Sequence, residues 1–590
     1  MNIRARLDAL IARPLPLFVA LFVVFLLVYG ASIFLIPKRY GLLIVGDGIY
    51  YYVYLRSAVL DGDLHFQNDY EIYQSFNTED PIKKREMLER RTPIGMPANL
   101  FSVGPAVLWS PIFVAMHLIA SVLGQAGDGY AFWYQAPVMF LSIAYGFVGI
   151  LLMYRVVAGM FSKFAAFIAI LGIWLATNVV YYMGISPSAS HVLSLFASAL
   201  FVYLWWRPHP SPRPHPDPLL KGEGVNPQPS PRPHPDPLPK GERVNPHPSP
   251  LLKGEGVNPR PSPLPKGEGV NPRPSPLPKG EGVNPRPSPL PKGEGVNPQP
   301  DPLLKGEGVN PQPSPRPHPD PLPKGERVNP HPSPLPKGEG VRGRTNMGWL
   351  VWGLSAGLLA LVRWQDILIA LLALFEWVGM TNDERNKSNG DVLSALTTGG
   401  LFVLGLLLAF IPQMVAWQIL YGSPLTAPQG GGFFQFLRPE MLNVWFSTKR
   451  GLFSWTPIIL LAVIGFVPLY RKNRMLGAAT IVIFLAETYV NSIVNDWWGG
   501  EAFGARRFIS LMPFFALGLA ALIDALRERV SQTAMLVALG ALIVWNNLFI
   551  LQYNLWLHGI GHISAMPTVQ EMTLDKFTAP LKALEKLRGR

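Results

Sequence analysis

The sequence predicts an all-α integral membrane protein, and three observations carry that prediction. Of 590 residues, 49% are hydrophobic and only 15% are charged. The apolar residues fall in blocks of about twenty, the length a helix needs to cross a hydrocarbon core of roughly 30 Å. Lysines and arginines cluster between the blocks rather than across a soluble surface, as they do in the loops of membrane proteins.

The N-terminal stretch places Arg4, Arg6 and Arg13 before an apolar run near 16–36. Its charge pattern is similar to that of a signal peptide, but the run is long, lacks a small-x-small cleavage site and is followed by further apolar blocks. It therefore predicts a first transmembrane helix with a cytoplasmic N-terminus. Further spans are predicted near 136–156, 164–184, 190–206, 392–416, 456–470, 476–494, 508–526 and 533–553. The stretch 348–378 is too long for one crossing, since at 1.5 Å per residue it would reach about 46 Å. It also carries Arg363 and Asp366 in its middle. Two short spans broken near Arg363 place the basic loops at 155–163, 207–345, 471–474 and 527–531 on one positive side, giving about eleven crossings. The apolar stretch 102–123, interrupted by Pro105 and Pro111, is expected to form amphipathic helices along the membrane surface within a large first outer loop, 37–135. The chain thus divides into an N-terminal membrane part (1–206), an insertion (207–345), a C-terminal membrane part (346–555) and a tail (556–590).

The insertion repeats a unit such as Asn-Pro-Arg-Pro-Ser-Pro-Leu-Pro-Lys-Gly-Glu-Gly-Val. Proline at every second or third position, with paired glycines, forbids helix and sheet and leaves too little apolar surface for a core. A disordered, polyproline-like segment is expected: either a docking arm or a tolerated repeat inside a loop. The formal net charge of +13 would suit a nucleic-acid partner, but roughly half of it lies in this insertion and most of the rest flanks apolar blocks. Position therefore argues against nucleic acid. With no cysteine, thiol nucleophiles, disulfides and cysteine metal sites are excluded.

Three outer segments carry residues suited to chemistry. Gly46-Asp47-Gly48-Ile49-Tyr50-Tyr51-Tyr52 follows the first span. A carboxylate at the membrane boundary needs a partner or a task, and flanking glycines let backbone approach a ligand closely. Asp47 reads equally as the N-cap of a helix over 48–60 or as a catalytic acid; Tyr51 offers an amphipathic ring at headgroup depth. Further along, Asp61-Gly62-Asp63-Leu64-His65 reads as turn formers more readily than as metal ligands. The second segment, Asn495 to Phe508, contains Trp497 and Trp498, suited to stacking on sugar rings, and Arg506 and Arg507, suited to phosphate oxygens. An aromatic belt with anchoring arginines is the bland alternative. The third, 417–455, holds Gly430-Gly431-Gly432, a lid or a flexible connection, and Lys449 with Arg450. Arg363 is an intramembrane charge that either pairs internally or contacts phosphate. His191, after Ser188-Ala189-Ser190, reads as a cap or packing residue. No phosphate-loop, HExxH, GxSxG or Rossmann fingerprint occurs in a supporting context.

The acid after the first span, a large first outer loop and alternating short spans resemble the GT-C superfamily of membrane glycosyltransferases. The bacterial branch related to the dolichyl-phosphate-mannose protein mannosyltransferases and the aminoarabinose lipid A transferases is the most similar part. The stretches carrying the resemblance are Gly46 to Tyr51, Gly357-Leu358-Leu359-Ala360-Leu361-Val362-Arg363, and Trp498-Gly499-Gly500 through Arg506-Arg507-Phe508. The resemblance implies transfer of a sugar from a polyprenyl-phosphate donor to a lipid, glycan or protein acceptor outside a bacterial inner membrane. It implies Asp47 as general base or acceptor-orienting group, with Arg506, Arg507 and Lys449 at the departing phosphate. Several relatives begin the second outer loop with another acid; here Gly184 to His191 contains none. No cofactor is therefore expected, and a metal-independent mechanism is favoured over a divalent metal. A transporter or flippase for a lipid-linked glycan is the rival class and would call for inverted repeats and a midplane site, which the sequence does not display. A non-catalytic membrane protein is the third.

If the insertion is inert, deleting 208–344 leaves membrane insertion and thermal stability unchanged, as membrane fractionation and an unfolding curve of the shortened chain would show.

Overall fold

The computed structural model describes residues 3–35, 42–75, 85–207, 344–430 and 432–588, apart from 126 and 382–388. These belong to one compact unit, Met1–Pro216 with Pro334–Arg590; the other unit, Asp217–Ser333, and so nearly all of the predicted insertion, lies outside the described residues. Among the described residues the chain is helical, with isolated β-bridges but no strand. Seven helices are long and apolar enough to cross a membrane, and three shorter apolar helices accompany them.

The N-terminal part comprises α1 (Ile3–Ala12), α2 (Leu15–Leu35), α3 (Asp47–Arg56), α4 (Gln67–Ser75), α5 (Gly104–Val122), α6 (Phe132–Met160), α7 (Lys163–Leu175), α8 (Val179–Gly184) and α9 (His191–Trp206). The C-terminal part comprises α10 (Asn346–Val362), α11 (Leu371–Thr381), α12 (Asn389–Tyr421), α13 (Met441–Phe446), α14 (Leu452–Trp455), α15 (Pro457–Ile464), α16 (Phe466–Lys472), α17 (Arg474–Ser492), α18 (Met512–Leu526), α19 (Gln532–Leu557), α20 (Val569–Thr573) and α21 (Ala579–Arg588). The two parts interlock directly: Trp352 of α10 donates to the Phe201 carbonyl of α9 and stacks on its ring.

Three differences from the sequence reading have local causes. The span expected over 164–184 breaks after Leu175, because the carbonyls freed at Leu175 and Thr177 are taken by the side-chain amides of Asn546 and Asn547 on α19. That exchange satisfies backbone groups that burial would otherwise leave unpaired, and the segment that follows, through 184–190, forms a floor beneath α3. The span over 456–470 is divided at Gly465, which packs against the backbone of Gly518 on α18 so closely that no Cβ fits. The stretch 102–123 is one continuous 19-residue helix. Pro105 sits in its first turn, where a missing N–H costs nothing, and Pro111 is absorbed in its interior. By length and composition α5 could cross a membrane, yet its partners are α3, the first half of α6 and the tip of α10. Trp109 donates to Ser142, Tyr145 to the Leu108 carbonyl, and Gly104 abuts Leu361.

The expected break near Arg363 is present. α10 ends at Val362, a 3₁₀ turn covers Trp364–Ala370, and α11 follows. Both arms return to the same place: Arg344, before α10, donates to the Trp205 carbonyl, and Glu376 of α11 accepts from the Trp205 indole. α10 and α11 therefore form a hairpin with its apex at Arg363. α10 also packs on α12 through a Gly353-x-x-x-Gly357 pair facing Phe402 and Leu406, with Gly405 facing back onto Leu350. Small residues at such crossings let helix backbones approach, the main source of helix association in lipid.

The described parts of the basic loops gather at one end. Trp206 lies against Gly159, Ser162 donates its amide and hydroxyl to Asp524, and Lys472 donates to the Met160 carbonyl. Residues singled out as chemically suited lie at the other end, among them Asp47, Arg363 and Arg506. Because the chain has no native cysteine, single cysteines can report sidedness without background. Cysteines at the exposed positions Val45 and Glu501 should react with an impermeant maleimide from one face of sealed vesicles, and those at Lys163 and Arg529 only after the vesicles are opened. Val45 and Glu501 reacting from opposite faces would refute this arrangement.

Candidate functional site

A cavity of about 790 Å³ opens at the end opposite the basic loops. Its wall begins at Gly46, whose φ of 62° is a conformation that favours glycine. Gly46, not Asp47, is the N-cap of α3, and Asp47 occupies the first helical position with no side-chain capping bond. The carboxylate is therefore free of the capping role and turns into the cavity. At Gly48 a Cβ would strike Ser188, so this glycine brings α3 onto the 184–190 floor. The same floor holds Tyr51, whose hydroxyl bonds the Ser190 hydroxyl at 2.8 Å. Burial pushes the Tyr51 phenol up to about 12, with the nearby Asp47 carboxylate adding to the shift. It stays protonated at neutral pH and can serve only as a neutral donor or acceptor.

Across the cavity, the turn 496–505 places both arginines. Gly499, Gly500 and Gly504 all have positive φ, which lets the chain fold back so that Arg506 and Arg507 point inward. Arg506 forms an ion pair with Asp47, and Arg507 binds the Asp496 carboxylate at 2.7 Å and the Asp496 carbonyl at 3.1 Å. Both guanidiniums are mostly shielded from solvent, which strengthens the pairs and raises the cost of breaking either by removing one partner. Arg363 reaches the same cavity from the hairpin apex and bonds His191 Nδ1 at 2.6 Å. Among the described residues it makes no ion pair within 4 Å. It is thus a cavity-lining cation with no carboxylate in ion-pair contact, although the buried Asp366 and Glu487 carboxyls feel its charge; the internal ion pair considered from sequence does not form as a contact pair among the described residues.

Asp47, Tyr51, Arg363, Arg506 and Arg507 therefore share one cavity. Trp497, Trp498 and Lys449 do not line it. Lys449 Nζ sits 3.5 Å from the centre of the Trp498 ring, and Trp497 meets Trp498 edge to face. Lys449 occupies the aromatic face that the sequence reading offered to a sugar, so these three residues brace the turn from behind. Arg450 supports it as well, donating to the Ala502 carbonyl. The glycine-rich stretch is pinned rather than loose on its far side: Gln435 donates to the Ile493 carbonyl, and Asn495 to the Phe433 carbonyl. Phe433, Phe434, Val490 and Val494 make this wall apolar. Of Asp61-Gly62-Asp63, Asp61 pairs with Arg56, and Asp63 accepts from the His65 amide and the Ser57 hydroxyl. Both are turn contacts.

Sequence reasoning missed His191, Asp496, Gln365 and Asn491 as cavity residues. The pairing of Asp496 with Arg507 spans eleven residues and has no helical or strand spacing to betray it. His191 is legible only once Arg363 is known to lie beside it.

The fold and site define an all-α membrane protein with an amphipathic cavity at one end, cationic and acidic on one wall and apolar on the other. Comparisons with protein-family models, with curated proteins and with solved structures find no match to this chain.

Breaking the Asp47–Arg506 pair should show non-additive stability. In a double-mutant cycle with Asp47→Asn and Arg506→Gln, a coupling of about 1–3 kcal/mol is expected in unfolding experiments; additive effects would mean the pair contributes nothing.

Proposed function

We propose that this protein is a membrane glycosyltransferase of the GT-C type, transferring a sugar from a polyprenyl-phosphate donor to an acceptor hydroxyl outside a bacterial inner membrane. The observation that carries the reading is the convergence of the Asp47 carboxylate with the guanidiniums of Arg363, Arg506 and Arg507 on a cavity that also has an apolar wall of Phe433, Phe434, Val490 and Val494. A lipid phosphate needs both: cations for the phosphate, and an apolar flank along which the chain runs into the bilayer. The topology that goes with it has about eleven crossings and a cytoplasmic N-terminus. α5 then lies on the site side, as its partners on α3 and the outer half of α6 favour.

In the proposed reaction the acceptor oxygen attacks the anomeric carbon from the face opposite the phosphate. The new C–O bond forms as the bond from the anomeric carbon to the phosphate oxygen breaks. The bonding electron pair leaves on the phosphate, the acceptor proton passes to Asp47, and the configuration inverts. Arg363 supplies the unpaired positive charge for the phosphate. Arg506 is held by Asp47 before the donor binds. An arriving phosphate competes with the carboxylate for that guanidinium, so donor binding would free Asp47 to act as base. Arg507, tied to Asp496, has less charge to offer, and Lys449 is occupied by Trp498. Neither a metal nor a cofactor is part of the proposal.

Purified protein given a defined polyprenyl-phosphate sugar should release polyprenyl phosphate and glycosylated acceptor. Asp47→Asn should slow turnover by about 10²–10⁴-fold, and Arg363→Gln by about 10²–10³-fold. Equal turnover of wild type and Asp47→Asn would remove Asp47 as base; lipid flipping without transfer would replace the transferase reading by a transporter.

A further inference from the structure

The C-terminal tail after α19 lines none of the main cavity, yet it does not trail away from the bundle. It begins at the cavity end, where Ile563, Ser564 and Pro567 share a small pocket with Arg450, Glu501 and Tyr553. A capping box then closes the start of α20: the Glu571 carboxylate accepts from the Thr568 amide at 2.6 Å and the Ser564 amide at 3.0 Å. From there the chain runs back alongside α19. Lys576 Nζ lies 3.5 Å from the centre of the Trp545 ring and 4.9 Å from that of Phe549. Phe577 meets Trp545 edge to face at 6.3 Å. Trp545 precedes the end of α19 at Leu557 by about 18 Å of helix. α21 then leads back, and Lys582 Nζ comes to lie beside Gly561, just past that end. The tail is therefore a hairpin laid against the side of a helix long and apolar enough to cross a membrane.

The hairpin has three faces. Met572, Lys576 and Ala579 are buried. Leu574, Phe577, Leu581 and Leu584 recur at spacings of three and four and so share one helical face, and all four are at least half exposed. Lys582 and Lys586, four residues apart on α21, are exposed on another side. An apolar stripe left open in this way marks a protein or a membrane contact. Two observations select the membrane. First, the stripe lies beside a candidate span whose own Val537 and Val544 are mostly exposed, so what solvates α19 there also meets the tail. Second, the charges are disposed for lipid. A lysine beside a span is costly in contact with acyl chains, and Lys576 is fully buried beneath two aromatic rings, a cation–π seat in place of water. An apolar face bordered by lysines is the pattern of a helix lying in the membrane interface, where lysine stems reach up to the headgroups.

We propose that the C-terminal hairpin is embedded in the phospholipid leaflet at the cavity end. Leu574, Phe577, Leu581 and Leu584 lie among acyl chains, and Lys582 and Lys586 meet headgroup phosphates. Through Ser564 and Pro567 the hairpin also abuts Arg450 and Glu501, at the turn that leads to Arg506 and Arg507. Lipid contact of this kind holds for a transferase and a transporter alike.

The absence of cysteine allows single fluorophores to be attached after Leu581→Cys, Leu584→Cys or Lys586→Cys. Each full-length variant is reconstituted into vesicles of phosphatidylcholine and phosphatidylglycerol, with iodide available on both sides. Labels at positions 581 and 584 should lose most of their emission when the lipids carry brominated acyl chains, and little of it to iodide. The label at position 586 should show the reverse. Iodide quenching at all three positions, or bromolipid quenching at none, overturns the proposal. Shielding of positions 581 and 584 from both quenchers would mean a protein partner, a second copy included, and overturns it as well. The three side chains are exposed, so their replacement removes little packing. The wild-type protein gives a second measure in vesicles that hold a lipid with a photoreactive acyl chain. Crosslinks should appear within 574–584; a chain crosslinked at Val537 or Val544 but not there would refute the embedded hairpin.

Discussion

The ion pair between Asp47 and Arg506 joins residues 459 positions apart in the chain, and the rest of the site depends on it. It draws the start of the first outer loop onto the turn before α18, and the cavity is the space those two segments enclose with the hairpin apex. Each partner reaches it by a glycine-permitted turn: Gly46 on one side, Gly499, Gly500 and Gly504 on the other. Those conformations favour glycine, so the geometry of the pair is set by backbone rather than by side-chain flexibility. The pair also leaves the carboxylate poised: it is compensated in the resting state, yet held by a group that an anion can compete for.

Of the four arginines that line the cavity, Arg363, Arg506 and Arg507 are chemically alike and electrostatically unlike. Arg506 is balanced by Asp47 and Arg507 by Asp496, whereas Arg363 contacts only a histidine nitrogen. His191 accepts from that guanidinium at Nδ1 and so is neutral there, with its proton on Nε2. Charge that is already paired is worth less to a ligand than charge that is not. A count of cations in the sequence would rank the three equally; their partners rank Arg363 first.

The hairpin of α10 and α11 shows how a membrane protein tolerates a broken helix. The break exposes backbone groups and charged side chains where lipid could not satisfy them, and it persists because it faces a cavity and packed protein. Asp366 donates its amide to the Arg363 carbonyl, which closes the turn. The same rule explains the break after Leu175, where two asparagines from α19 take the carbonyls that the helix releases. After Leu175 an apolar stretch that reads as one span is divided by partners distant in sequence, whereas the break at Arg363 is one that the sequence itself predicts.

The sequence alone determined the helical class, the position of most of the long apolar helices, and the break at Arg363. Each of these follows from local apolar length or from local charge, which the chain carries wherever it goes. It also put Asp47, Arg363, Arg506 and Arg507 among the residues to watch, because charge at a membrane boundary is costly without a role. Tertiary structure alone decided which of them meet. It gave Asp47 its arginine and Arg507 its aspartate, withdrew Trp498 behind Lys449, and brought in His191, Gln365 and Asn491. These contacts join residues from eleven to several hundred positions apart, and neither the 3.6-residue period of a helix nor the length of a span encodes them.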